Sequence, residues 1–211
     1  MYTPPYFKNS DGSALIDLAQ KYSFATLISV DSERQLAISH LPLILETEGD
    51  EITKIVGHFA LRNPQVKSIR QNNQVTVIFQ GPHTYITPTW YRSGRDVPTW
   101  NYCVLHITGK LKFIEGFQPI CNILETTTKT YEQGPKAWRF ELPADLEDPS
   151  ALTSAIIGFE ITPVKIEAKF KLSQNRSIDD QTGMIEGLSE RTDENSLEIQ
   201  SLMKKNRTKI K

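Results

Sequence analysis

The chain has 211 residues, with 24 Lys and Arg against 25 Asp and Glu for a formal net charge of -1. With 38% hydrophobic and 23% charged residues it has the composition of an ordinary globular protein with one sizeable core, and neither a disordered chain nor a disulfide scaffold fits. No global positive field draws it toward nucleic acid or an anionic membrane, so such a partner would need a local patch.

The first residues, Met1 to Lys8, lack the basic start, apolar run and cleavage site of a secretory signal. No uncharged apolar stretch approaches the length of a bilayer span, and a cytoplasmic protein is expected. Asp11-Gly12-Ser13 signals a helix start, and Ala14, Leu15, Leu18, Ala19 and Tyr22 share one face of that helix. From Phe24 the period changes to two. Strands over 24–30 and 36–45 flank the polar turn Asp31-Ser32-Glu33-Arg34 and predict a β-hairpin. A strand over 52–58, a helix from Asn63 to about Gln71 and a β-branched strand over 75–79 come next. Gly81-Pro82 is expected to end that strand, with a separate strand over 83–87. An irregular aromatic and basic loop covers 88–97, and a long strand covers 102–114. Pro119 is placed as the first residue of a helix whose face carries Ile120, Ile123, Leu124 and Tyr131. Four acids between Glu141 and Asp148 read as a solvated loop.

Over 156–172 strand alternation returns. Val164, Ile166, Ala168, Phe170 and Leu172 lie on one parity facing inward, Lys169 and Lys171 lie on the solvated one, and Pro163 suggests a bulge or edge. Beyond Ser173-Gln174-Asn175-Arg176, Ser177 and Asp180 form a capping box, and Leu197, Ile199, Leu202 and Met203 mark a final helix. The five basic residues from Lys204 to Lys211 read as a frayed, solvated end. Short connections favour antiparallel pairing, and the expected fold is β-rich α+β, a small antiparallel barrel with peripheral helices. Its domain would span 1–176, followed by a helical extension and basic tail over 177–211.

No nucleophile elbow, Walker A, G-x-G-x-x-G or H-E-x-x-H motif is present. Cys103 and Cys121 form no C-x-x-C pair and read as structural thiols of a reducing compartment. The histidines at 40, 58, 83 and 106 lack the tight spacing of a local metal site, and none is expected. Three segments do point to chemistry. In the first, 58–65, a strand runs into Asn63 as N-cap and Pro64 as first helical residue, so free backbone N–H groups and the positive helix end face outward beside Arg62, as a phosphate cradle would require. In the second, His83, Tyr85, Trp90, Tyr91, Trp100 and Tyr102 are interleaved with Arg92, Arg95 and Asn101. That set suits a planar heteroaromatic ligand, single-stranded nucleic acid, or rings that close a barrel end or fill a subunit interface. In the third, Lys171, Gln174, Asn175 and Arg176 stand where a strand opens out and suit an anionic, hydrogen-bonding ligand.

Together, Gly57-His58-Phe59-Ala60-Leu61-Arg62-Asn63-Pro64-Gln65, Phe79-Gln80-Gly81-Pro82-His83-Thr84-Tyr85-Ile86, Pro88-Thr89-Trp90-Tyr91, Val97-Pro98-Thr99-Trp100-Asn101-Tyr102 and Lys171-Leu172-Ser173-Gln174-Asn175-Arg176 resemble the PaiB family. Its members are described as FMN-binding negative transcriptional regulators with a split antiparallel β-barrel like that of pyridoxamine phosphate oxidases. The resemblance runs from Tyr2 to about Leu188. It implies a homodimer with FMN at the interface, each site lined by both subunits. Ser39, His40 and Leu41 would run beside the isoalloxazine, while His58, Phe59, Ala60, Arg62, Asn63 and Gln65 would meet ribityl and phosphate. Trp100 and Asn101 would come from the long strand, with Lys171 near the flavin and Gln174 and Asn175 just beyond it. The function implied is flavin-dependent redox chemistry, as in an oxidoreductase or flavin reductase, or flavin sensing. The alternatives are a transcriptional regulator acting directly or through a partner, with DNA binding only thinly supported by charge, and a module for haem or another planar ligand.

Overall fold

The computed structural model describes residues 1–94, 97–141 and 148–208. The chain forms two units, the larger comprising Asp11–Phe79 and His106–Ile166, and the smaller Met1–Ser10, Gln80–Leu105 and the residues from Glu167 onward.

The larger unit is built on one sheet. Its strands are β2 (Phe24–Val30), β3 (Leu36–Pro42), β4 (Ile44–Glu48), β5 (Glu51–Ala60) and parts of β6 (Gln74–Ile86), β7 (Thr99–Ile114) and β8 (Ile156–Lys171), whereas the short β1 (Lys8–Asn9) belongs to the smaller unit. The spatial order is β3-β2-β6-β7-β8-β5-β4. The β2/β3, β2/β6, β4/β5 and β5/β8 pairs are all antiparallel. Alternating apolar positions turn Leu27, Ile55, Phe59, Val77, Ile107, Phe159 and Ile161 into the core, each completely buried. The Phe59 and Phe159 rings lie 4.7 Å apart. A Cβ on Gly57 would meet Leu43 Cδ2 at 2.7 Å and Phe159 Cζ at 2.8 Å, so that strand position takes only glycine. Around the sheet lie α1 (Gly12–Lys21), capped by Asp11, α2 (Pro64–Gln71), capped by Asn63, and α3 (Phe117–Tyr131).

Several boundaries depart from the pattern. The return strand expected over 36–45 divides at Leu43, which turns inward and donates its N–H to the Ser23 carbonyl at 2.9 Å; the chain beyond it becomes β4 and pairs with β5. Gly81-Pro82 does not end its strand. β6 runs through it, and the buried parity switches from 75, 77 and 79 to 82, 84 and 86. A residue without a Cβ followed by one without a ladder donor is where such a slip is tolerated. Pro119 is the third residue of α3, not the first, and Gly116 with φ 99° stands at the N-cap. The third amide of a helix has no intrahelical partner either, so proline fits equally there. Ala168 and Phe170 of β8 and Leu172 just beyond it are buried as expected, but Val164 and Ile166 are 70% and 39% exposed. The β5 register ends at Ile161 and the β1 register begins at Ala168, which leaves the segment after Pro163 without that cover.

The smaller unit holds β1, the outer ends of β6, β7 and β8, and the helices α4 (Ile178–Ser189) and α5 (Glu194–Thr208). Ser177 caps α4 by accepting from the Asp180 N–H at 3.1 Å. The Asp180 carboxylate accepts from the Ser93 N–H at 2.9 Å and also from the Ser177 side chain. Residues 204–208, expected to fray, continue α5, and Arg207 donates to Thr182 Oγ1 at 3.1 Å. Arg95, most of the acidic segment 141–148 and the last three residues of the tail lie outside the described residues.

Candidate functional site

In the larger unit the sequence segment around Asn63 becomes a tight turn. The Asn63 N–H donates to the Ala60 carbonyl at 2.9 Å, which puts Leu61 and Arg62 at the turn's centre, and the Leu61 N–H donates to the Ala155 carbonyl at 2.8 Å. Arg62 is exposed and forms no hydrogen bond or ion pair among the described residues. The expected free N–H groups at the start of α2 are not there. Pro64 has none, the Gln65 N–H goes to Asn63 Oδ1 at 2.9 Å, and the Val66 N–H goes to the Asn63 carbonyl at 3.0 Å. A side chain that caps its own helix this completely leaves the guanidinium of Arg62 as the anion-seeking group of the segment.

Ser39, Asn63 and Gln65 come together and bond one another. Asn63 Nδ2 donates to Ser39 Oγ at 3.0 Å, and Ser39 Oγ donates to Gln65 Oε1 at 2.5 Å. Gln65, 2% exposed, also donates through Nε2 to the Ala37 carbonyl at 2.9 Å and Ser29 Oγ at 3.0 Å. Phe59 contributes its ring to the core, and Ala60 is exposed beside the turn. His58 is half-buried, and burial lowers its pKa. On β3 His40 is exposed, its Nδ1 lies 3.1 Å from Thr26 Oγ1 and its ring stacks at 6.4 Å on Phe24, with Leu41 half-buried beside it.

In the smaller unit the aromatic segment divides. Trp90 packs on Gly187 with the Arg191 guanidinium 4.9 Å from its ring, and Tyr91 is buried under Arg176 at 5.4 Å. His83, Tyr85 and Trp100 stay exposed, with Trp100 centred 6.2 Å from His83 and 6.0 Å from Tyr85. Lys171 is half-buried and donates to Thr99 Oγ1 and, at 2.7 Å, to the Trp100 carbonyl. Burial, then the charges of Lys169 and Arg176, lower its pKa. The strand end therefore concentrates positive charge beside an exposed aromatic group, a combination suited to a planar anionic or electron-rich ring.

Asn101 next to Trp100 is fully buried, accepting from Ser173 Oγ at 3.0 Å and facing Met203 Sδ at 3.5 Å. Gln174 closes the strand end on itself, accepting from the Leu172 N–H at 2.8 Å and donating to the Phe170 carbonyl at 2.6 Å, while Asn175 is exposed. Lys169, expected on a solvated face, is 8% exposed. Its ammonium lies 5.3 to 5.9 Å from the Tyr2, Phe7 and Tyr102 ring centres and donates to the Tyr2 carbonyl at 3.2 Å. Only the return of the N-terminal segment to β8 creates that enclosure, and strand parity carries no signal of it. Among the described residues no group of three or more His, Cys, Asp or Glu side chains is placed to hold a metal ion, and no helix is long and apolar enough to cross a membrane.

Residues 1–165 match a family model described as "Putative FMN-binding domain". The chain is 35% identical over 206 residues to the protease synthase and sporulation protein PAI 2 of Bacillus subtilis, covering 96% of each. Among solved structures it is similar to the FAD and heme binding protein from Mycobacterium smegmatis, with a TM-score of 0.59, 15% identity, and 83% of this chain and 78% of that one covered. The flavocytochrome Anf3 from Azotobacter vinelandii gives a TM-score of 0.57 at 10% identity, over 80% of this chain and 72% of that one. At such identities the two structures speak for the fold, a split antiparallel β-barrel with peripheral helices. The chain thus belongs to the FMN-binding family that its PaiB-like motifs indicated, and its cofactor is FMN.

Proposed function

We propose that the chain works as a homodimer that holds FMN for flavin-dependent redox chemistry or flavin sensing, with both subunits lining each flavin. When bound, the flavin supplies the electron transfer, and the protein orients it and tunes its electronics. The observation that carries the reading is the exposed indole of Trp100, flanked by His83 and Tyr85, with the half-buried Lys171 ammonium on the carbonyl of the same residue. Trp100 offers a stacking surface, Lys171 a positive charge near the ring, and Arg62 a charge-assisted partner for the phosphate. Ser39, His40 and Leu41 supply the strand beside the isoalloxazine, and the 58–65 segment supplies the phosphate end. Asn101 and Gln174 serve this site by shaping the strand ends, and Asn175 lies at its rim. Equilibrium titration of FMN against the wild type and Trp100→Ala tests the stacking surface. A loss of about five- to a hundredfold is expected from the worth of one aromatic stack, and an unchanged dissociation constant would remove Trp100 from the site.

Support for the dimer comes from the outer face of the β2–β3 hairpin, where Phe24, Leu36 and Ile38 are 70%, 67% and 56% exposed. An apolar surface of that kind is covered by a second copy in a two-fold homodimer. The two free, buried thiols Cys103 and Cys121 suit the reducing cytoplasm, where we place the protein. A haem-binding reading is favoured by the exposed imidazoles of His40 and His83, each a possible axial ligand. A regulatory role, if exerted on DNA directly, rests on the basic residues that begin at Lys204, which yield weak, salt-sensitive contacts.

A further inference from the structure

We infer that Gln65 acts as a positioning residue for phosphate recognition, setting the direction of Arg62 without touching the ligand itself. The inference rests on the proposed pairing of Arg62 with the FMN phosphate. Three hydrogen bonds close a ring: Asn63 Nδ2 to Ser39 Oγ at 3.0 Å, Ser39 Oγ to Gln65 Oε1 at 2.5 Å, and the Gln65 N–H back to Asn63 Oδ1 at 2.9 Å. The Gln65 amide group is anchored beyond the ring on the Ala37 carbonyl and Ser29 Oγ, which belong to β3 and β2. At 2% exposure, with its oxygen accepting from Ser39 and its nitrogen donating to these anchors, the side chain has no means of reaching a ligand.

The ring holds both polar atoms of the Asn63 side chain, and Asn63 closes the turn that carries Arg62 at its centre. The other side of the turn is tied by the Leu61 N–H to the Ala155 carbonyl at 2.8 Å. Arg62, without a partner of its own, therefore inherits its direction from a backbone fixed at both ends. A buried polar network of this type is well ordered when complete and loosens as a unit when one member is removed. The consequence is a specificity effect: opening the ring should harm the ligand that bears a phosphate and spare the one that lacks it.

The test uses the full chain and two flavins, FMN and riboflavin, titrated by fluorescence quenching, with circular dichroism to verify folding. The wild type is expected to prefer FMN by about tenfold or more, as a charge-assisted contact would give. Gln65→Met keeps the length of the side chain and removes its hydrogen bonds; Gln65→Leu removes the same bonds with a branched side chain and serves where Gln65→Met does not fold. Each should erase most of the preference while riboflavin affinity stays within about twofold, and Gln65→Met should add little to Arg62→Ala, because coupled residues fail together. A folded variant that retains the FMN preference, or one that loses both flavins equally, overturns the positioning role while leaving the phosphate reading intact. An unaltered chain that binds both flavins equally overturns the phosphate reading, and the positioning role with it.

Discussion

Arg62 and Lys171 carry the same charge in opposite settings. Arg62 is exposed on a turn without a protein partner, whereas Lys171 is half-buried on the Trp100 carbonyl with its pKa lowered by burial and by the charges of Lys169 and Arg176. Their substitutions should fail differently. Arg62→Ala should weaken FMN by about ten- to a hundredfold and leave riboflavin nearly unchanged. Lys171→Ala should weaken both flavins and lower the flavin's reduction potential, since a cation near the ring favours the reduced, more negative form; spectroelectrochemistry reads that shift. An equal loss for both flavins in Arg62→Ala would take Arg62 out of the phosphate contact. His58 gives a pH signature. Burial lowers its folded pKa below the ordinary value of about 6.5, so the unfolded chain takes up a proton first as pH falls. Its contribution is neutral above about pH 6.5, turns destabilising as pH drops, and reaches its full, constant destabilising size below the folded value. Thermal melts from pH 8 to pH 5 should show a steeper decline in the wild type than in His58→Gln.

At the scale of elements, the packing of α4 on the turn Pro88–Trp90 depends on a helix face without side chains. A Cβ on Gly187 would meet Trp90 Nε1 and Cε2 at 2.3 Å, and one on Gly183 would meet the Trp90 carbonyl at 2.2 Å. Gly187→Ala should therefore cost about 1 to 3 kcal/mol as overpacking, despite the higher helix propensity of alanine. Urea unfolding followed by tryptophan fluorescence measures it; an unchanged midpoint would contradict the contact. Elements written in local code were legible in the sequence. Asp11, Asn63 and Ser177 cap their helices as read, because a capping bond spans only two or three residues. Elements whose form depends on distant partners were not. Gly81-Pro82 reads locally as a stop, yet β6 continues and only changes face. The division at Leu43 depends on the Ser23 carbonyl, the enclosure of Lys169 on Tyr2, Phe7 and Tyr102, and the burial of Asn101 on Ser173 and Met203. The same division runs through the candidate site: the motifs mark its segments, but only the hydrogen-bond ring distinguishes Gln65, which is enclosed, from Arg62, which is exposed.

At the scale of the whole molecule, the proposed assembly and activity each have a direct consequence. Light scattering should give about twice the 24.0 kDa of one chain, and Ile38→Lys on the exposed hairpin face should shift the protein toward monomer and weaken FMN in parallel. A wild-type mass of one chain at every concentration would contradict the shared site. Any binding to DNA should be weak, should decline steeply with salt and should vanish when residues 204–211 are removed, given a net charge of -1 and basic residues gathered in that tail. Tight, sequence-selective binding that survives the truncation would contradict that electrostatic account. The visible absorption spectrum of the freshly purified protein, recorded before and after addition of FMN and removal of the unbound excess, tests the central claim most directly. The account predicts a retained flavin band, present at purification or restored by FMN, at one flavin per chain; a Soret band in its place, or no retained chromophore at all, would contradict it.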